Sequence, residues 1–227
     1  MTEPGWAPQD PRAAEEESYR IVRSRIDLSR LPRFSRDVTE RVIQASADFD
    51  YFTDLVCDED SLAAGVEALA AGAPVIADSV MVAAGITGCP VISKIGEPLT
   101  ARLARTASIS PAAAAVRLAF GEAGPGAVWV AGGTAEALRE ILARRVEAAF
   151  VVGLPVGFVG AAEAKDALRA SGMRCVSNVS EKGGPAVAVA ALSALLAPAT
   201  AGRGSQPGWD PDVPRGLLER DRAAGDR

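Results

Sequence analysis

Apolar positions along the chain alternate between two spacings, and the alternation itself predicts the fold. Tyr19, Val22 and Ile26 recur at helical spacing over Ser18–Ile26, and Val38, Val42 and Ala45 do so from Ser35 or Asp37 to about Ala45. A third helix is predicted from Ser61 to Ala71, ended by Gly72. Short runs rich in Val, Ile and Ala, too short for helices, predict strands at 74–77, 91–93, 127–130, 148–152 and 175–178. Between and after them lie helical stretches: Ser79 to Gly85, Ala112 to Phe120, Ala135 to Arg145, Gly160 to Ser171 and Ala186 to Leu196. Ser110 is a good N-cap with Pro111 at the first helical position, and Thr134 can cap the helix that follows it.

Strand, loop and helix of this length recur along the chain, which predicts an α/β fold: a single three-layer domain with a mainly parallel sheet flanked by helices. Right-handed crossovers put the loops after the strands on one edge, where ligands of such folds bind. The folded region is expected at 15–197. Residues 1–14 and the stretch from Pro198 to 227, with Pro207, Pro211 and Pro214, are expected to be tails without packed structure.

Composition narrows the picture. With 48% hydrophobic but only 5% aromatic residues, the core must be built from small aliphatics, which suits helices lying close on a sheet. A net charge of -5 argues against nucleic-acid binding, since no basic field would neutralise phosphates. Cys57, Cys89 and Cys175 are widely spaced, resemble no zinc site and suit reduced thiols, so no metal site is expected. No basic segment followed by an apolar stretch opens the chain and no apolar run reaches membrane-spanning length, so a cytoplasmic protein without membrane contact is expected. The chain has no histidine. No side chain therefore has an unperturbed pKa near neutrality, and proton transfer must use a perturbed group or the substrate.

The candidate chemistry gathers at strand-to-helix junctions. Gly153, Gly157 and Gly160 punctuate one, with Pro155 stiffening its approach; glycine lets a ligand come close to backbone N–H groups, although a tight structural junction would use the same residues. Gly132, Gly133 and Thr134 form a second, either for ligand contact or as a simple cap, and Lys182, Gly183 and Gly184 form a third. Three such junctions on adjacent strand ends suit an extended ligand. Neither a dinucleotide fingerprint nor a phosphate loop is present. Asp78 follows a buried strand and either orients a ligand donor or caps a helix. Asp48 with Tyr51 is either a carboxylate–phenol relay or an exposed loop pair, Met81 reads as core, and Arg102 and Arg105 either meet ligand carboxylates or form a solvated face.

The segment Gly153-Leu-Pro-Val-Gly-Phe-Val-Gly-Ala-Ala-Glu-Ala-Lys165 resembles the most recognisable motif of the precorrin-8X methylmutase family, and the likeness runs from about Ser18 to Leu196. Ser18-Tyr19, Asp78, Met81-Val82, Thr134-Ala-Glu-Ala-Leu138 and Lys182-Gly-Gly184 resemble further family segments. The resemblance implies an isomerase that moves a methyl group from C-11 to C-12 of a corrinoid intermediate in cobalamin biosynthesis. It also implies a homodimer with tetrapyrrole sites near its interface, and no separate organic cofactor. Substrate contacts would fall to Ser18, Tyr19, Asp48, Asp78, Met81, Thr134, Gly153, Gly157, Lys182, Gly183 and Gly184. The departures lie on site-like elements. Gln44-Ala-Ser-Ala-Asp48 stands where the family has His-Ala-x-x-Asp, so Gln44 occupies the catalytic position. Glu17 replaces an arginine, Ser108-Ile-Ser110-Pro111 displaces a Thr-Arg-Ser-Ala stretch, and Pro185 replaces a serine. A corrinoid or tetrapyrrole binder or carrier without turnover is the rival reading.

Overall fold

The computed structural model describes residues 10–201, so most of the two expected tails, 1–9 and 202–227, lies outside the described residues. In chain order the elements are α1 (Pro11–Arg25), α2 (Arg33–Ser46), α3 (Tyr51–Asp54), β1 (Leu55–Cys57), α4 (Glu59–Ala70), β2 (Val75–Ala77), α5 (Val80–Gly85), β3 (Val91–Ile92), α6 (Pro98–Ala107), α7 (Pro111–Ala123), β4 (Val128–Ala131), α8 (Ala135–Ala143), β5 (Phe150–Gly153), α9 (Ala161–Ala170), β6 (Cys175–Asn178) and α10 (Pro185–Thr200). Helix α1 starts inside the stretch set aside as a tail. Helix α10 runs through Pro198, which forgoes the N–H bond to the Ala194 carbonyl one turn earlier, two residues before the helix ends.

The described strands form one sheet in the order β1-β6-β5-β4-β2-β3. All neighbours are parallel except β1, whose three residues run antiparallel to β6 with Val56 opposite Ser177. Each inner strand is buried on both faces, as a sheet covered by two helix layers requires. Along β4, Val128 and Val130 face one layer and Trp129 and Ala131 the other; along β5, Phe150 and Val152 part from Val151 in the same way. The first layer holds α1, α2, α4, α5 and α10, and the second α7, α8 and α9.

Small residues bring the layers close. Helix α10 buries Val187, Ala188, Ala191, Leu192 and Leu195, and a Cβ on Gly132 would lie 2.5 Å from that of Ala188. Capping follows the chain's local chemistry: Ser110 accepts from the Ala113 N–H at 3.1 Å and Thr134 from the Ala137 N–H at 3.4 Å, with Pro111 opening α7.

The sheet order also locates the site. From β2 the chain passes to β3 on one side and then returns to β4 on the other. The carboxyl ends of β2 and β4 therefore flank a topological switch point, the place where ligand crevices open in such sheets. The loops at that point carry Asp78 and Gly132-Gly133-Thr134.

Candidate functional site

Asp78 caps neither its own helix nor a solvent-facing turn. Ser79 caps α5, accepting from the Val82 N–H at 3.2 Å. Asp78 reaches across the switch point, where its Oδ2 accepts the N–H of Gly133 at 2.8 Å and of Thr134 at 3.3 Å. Its Oδ1 is buried without a hydrogen-bond partner among the described residues, and burial pushes the carboxyl above the usual carboxylate range. The Gly133 junction can tolerate no side chain, since a Cβ there would stand 2.9 Å from Ser79 Cβ.

The other two glycine junctions meet each other. The Gly157 N–H donates to the Glu181 carbonyl at 3.0 Å and the Gly184 N–H to the Leu154 carbonyl at 2.8 Å. Gly183 has φ +147, and a Cβ there would lie 2.4 Å from the Leu154 oxygen. The Gly157 amide is thereby engaged by the neighbouring loop. Gly153 is tightly packed, since its Cβ would come within 2.3 Å of a terminal methyl of buried Leu168. Gly132 ties this pair to the switch point, with Val82 and the Gly184 carbonyl both beside it.

Behind the 178–184 loop lies a polar network. Asp54 accepts from Asn178 Nδ2 at 2.7 Å, from the Val179 N–H at 3.1 Å and from the Ser180 N–H and hydroxyl at 2.7 Å each. Burial pushes the Asp54 carboxyl up, but those donors outweigh it and hold the group below the usual range. Lys165, 0% exposed, donates to Asn178 Oδ1 at 2.8 Å, to the Lys182 carbonyl at 2.8 Å and to the Ser180 carbonyl. Sequence reasoning assigned neither Lys165 nor Asp54 a place in the site. A signal for the lysine was present: it sits with Ala161, Ala164 and Leu168 on the core-facing stripe of α9, where a charge is out of place unless it is used.

Lys182 Nζ bridges Asp48 Oδ2 at 2.7 Å and Asp50 Oδ2 at 2.6 Å, fastening the loop after α2 to the loop after β6. That bridge lowers the Asp48 pKa and raises that of Lys182. Tyr51 does not form an exposed loop pair with Asp48. It is a buried core residue, and burial, reinforced by the charges of Asp48 and Asp54, pushes its phenol up to about 12.

Gln44 is half-buried on α2, and its amide finds no hydrogen-bond partner among the described residues. One turn earlier, Arg41 donates to the Tyr19 hydroxyl and to Glu15, linking α1 to this face of α2. Ser18 is half-buried beside Tyr19. Met81 is a correction: it is 67% exposed, not core, and with exposed Val80 it opens α5 after β2, while Val156, Phe158 and Val159 are exposed in the loop after β5 and Val179 in the loop after β6. Arg102 and Arg105 lie on the exposed face of α6. Two grooves of about 460 and 760 Å³ run along α1 and α2. Tyr19 lines the smaller, but neither is lined by Gln44, Asp78 or a glycine junction, so the candidate site lies outside both, on the shelf that the three junctions form.

Three departures from the family pattern have local explanations. Pro111 and Pro185 each open a helix, a position where the missing N–H costs nothing. Glu17 pairs with Arg20 on the exposed face of α1, its Oε2 accepting from Nε at 2.8 Å.

The family model for precorrin-8X methylmutase matches residues 13–198. Among similar curated proteins, the cobalt-precorrin-8 methylmutase of Salmonella typhimurium is 35% identical over 200 residues, covering 83% of this chain and 95% of that protein. The precorrin-8X methylmutase of Sinorhizobium sp. is 34% identical over 202 residues, covering 84% and 96%. The crystal structure of precorrin-8X methylmutase from Thermus thermophilus superposes with a TM-score of 0.75 at 32% identity, over 86% of this chain and all of that one. The match spans every described strand, the three glycine junctions and α2 with Gln44, and on that breadth the chain belongs to the precorrin-8X methylmutase family.

Proposed function

We propose that this chain is an isomerase of corrin-ring synthesis that moves a methyl group from C-11 to C-12 of a precorrin-8-type tetrapyrrole. The observation that carries the reading is the set of three glycine junctions gathered at the carboxyl ends of β2, β4, β5 and β6, two of them hydrogen-bonded to each other and the third to Asp78, in a chain whose likeness to known methylmutases runs through all of them. Such a shelf, edged by exposed apolar side chains, suits a wide, flat ligand with an apolar face and a charged periphery. Lys182, Thr134 and the loop N–H groups not spent on neighbouring loops would meet the periphery, and the apolar rim would meet the ring. A homodimer with its sites near the interface would cover that rim. We place it in the cytoplasm; no described helix is long and apolar enough to cross a membrane.

Gln44 shapes the chemistry in this reading. Its unpartnered amide can donate a hydrogen bond to the macrocycle but supplies no proton at useful pH, so the rearrangement would draw its proton from another acid or from solvent. The same residue favours a second reading, a corrinoid binder or carrier that holds the ring without turnover. Incubation of the purified chain with precorrin-8X, following ring absorbance and product mass, separates the two. Conversion beyond one equivalent supports the isomerase. Saturable binding without conversion at any pH from mildly acidic to neutral rejects it in favour of the carrier, and no binding of any tetrapyrrole rejects both.

A further inference from the structure

Helix α9 carries a cation into the core. All three N–H bonds of the Lys165 ammonium go to one short stretch: Asn178 Oδ1 at 2.8 Å, the Lys182 carbonyl at 2.8 Å and the Ser180 carbonyl. No carboxylate touches it directly. Asp54 is reached only through Asn178, whose Nδ2 donates to Asp54 Oδ2 at 2.7 Å. Burying an ammonium without a direct counter-ion is costly, and an apolar side chain on this stripe would spare the fold that cost. What the charge secures is the 178–184 loop, which carries Lys182, Gly183 and Gly184 and buttresses the Gly157 junction through the Glu181 carbonyl.

We infer that Lys165 is the positioning residue of the substrate shelf: its ammonium, from inside the fold, holds the 178–184 loop in the shape the ligand meets, and the shelf is competent only while Lys165 is charged. The inference rests on the tetrapyrrole reading above. Deprotonation would leave two N–H bonds for three acceptors and turn a lone pair toward an oxygen. The chemistry places that event in an accessible range, because burial drives the Lys165 pKa down to about 8. Arg169 of α9 pushes the same way, and Asp54 of α3 and Glu181 of the loop oppose it.

The linkage has a distinctive sign. Unfolded, the lysine recovers its ordinary pKa, so between about 8 and 10.5 the unfolded chain binds more protons and this group's contribution to stability rises with pH. Ligand affinity should fall across the same interval. A lysine that only supported the fold would not move the two in opposite directions.

The test uses the full chain with cobyrinic acid as the probe, its carboxylates ionised throughout pH 7 to 9.5. Affinity is measured by absorbance titration, and the amide resonances of 178–184 are followed by NMR without ligand. The expected result is a loss of affinity of about tenfold or more as pH passes 8, matched by a titration of the loop amides. Both changes should vanish in Lys165→Met, which binds weakly at every pH. Should Lys165→Met fail to fold, Lys165→Gln, which keeps a donor, takes its place with a flat profile expected. An affinity that is level across pH 8, or a limb that survives in the lysine variant, overturns the inference. Loop amides that titrate as expected in a chain binding no tetrapyrrole at any pH overturn the ligand reading, and the loop's role in it, while leaving the clamp itself measured.

Discussion

Alanine at Gly183 should damage the shelf while leaving both cores intact. Two consequences follow from the geometry. The backbone at Gly183 has φ +147, a conformation that costs a residue with a side chain about 1–3 kcal/mol. The added Cβ would also stand 2.4 Å from the Leu154 oxygen and 2.6 Å from the Pro155 oxygen, and backbone oxygens cannot swing aside as a side-chain end can. The loops must separate, and the Gly184 N–H bond to Leu154, 2.8 Å long, is strained or lost, for about 1 kcal/mol more. The sum is about 2–4 kcal/mol. Gly172 provides the control: it also has positive φ (+76), but nothing lies within 4 Å of the point a Cβ would occupy, so alanine there should cost only about 1 kcal/mol. Urea unfolding of the two variants measures the difference, and titration with a corrinoid should show affinity lost in Gly183→Ala and kept in Gly172→Ala. Equal stability losses within about 0.5 kcal/mol would refute the crowding argument.

Three further outcomes are expected. Gln44→His should raise methyl-shift turnover if the acid alone is missing, because imidazole both hydrogen-bonds and transfers protons near neutrality; unchanged turnover with intact binding, measured by product mass, would place the deficit elsewhere. Asp54 has a depressed pKa, so its stabilisation of the 178–184 loop is complete above the ordinary aspartate value and is lost as pH falls through the folded value; Asp54→Asn should be less stable than the parent at pH 7 and show a weaker acid-side decline, as read by thermal melts from pH 7 to 3. Phe158, 94% exposed at the shelf, becomes glutamate in the last test: light scattering should show a dimeric parent and a weakened dimer in Phe158→Glu, and a parent that stays monomeric while binding ligand fully would exclude an interfacial site.

Local chemistry determined most of the elements. The Val-rich runs at 75–77, 128–131 and 150–153 could be buried only as inner parallel strands, and Ser110 and Thr134 marked helix starts that the fold uses. The glycine junctions were legible as a group because their spacing after strands is a property of neighbouring residues. Strand β1 was not legible: three residues with one exposed position carry too little pattern, and their strand character comes from pairing with β6, more than a hundred residues away. Met81 was misread because helical spacing does not say which side of a short helix the rest of the chain will cover. What only the tertiary structure decided were the partners. Asp78 bracing Gly133, Asp54 gathering the 178–180 backbone and Lys165 ending on the Ser180 and Lys182 carbonyls are all bonds between segments distant in sequence. A side chain's type announces that a charge must be satisfied; only the packed fold determines by what, since the strand order, not the chain order, sets which loops become neighbours.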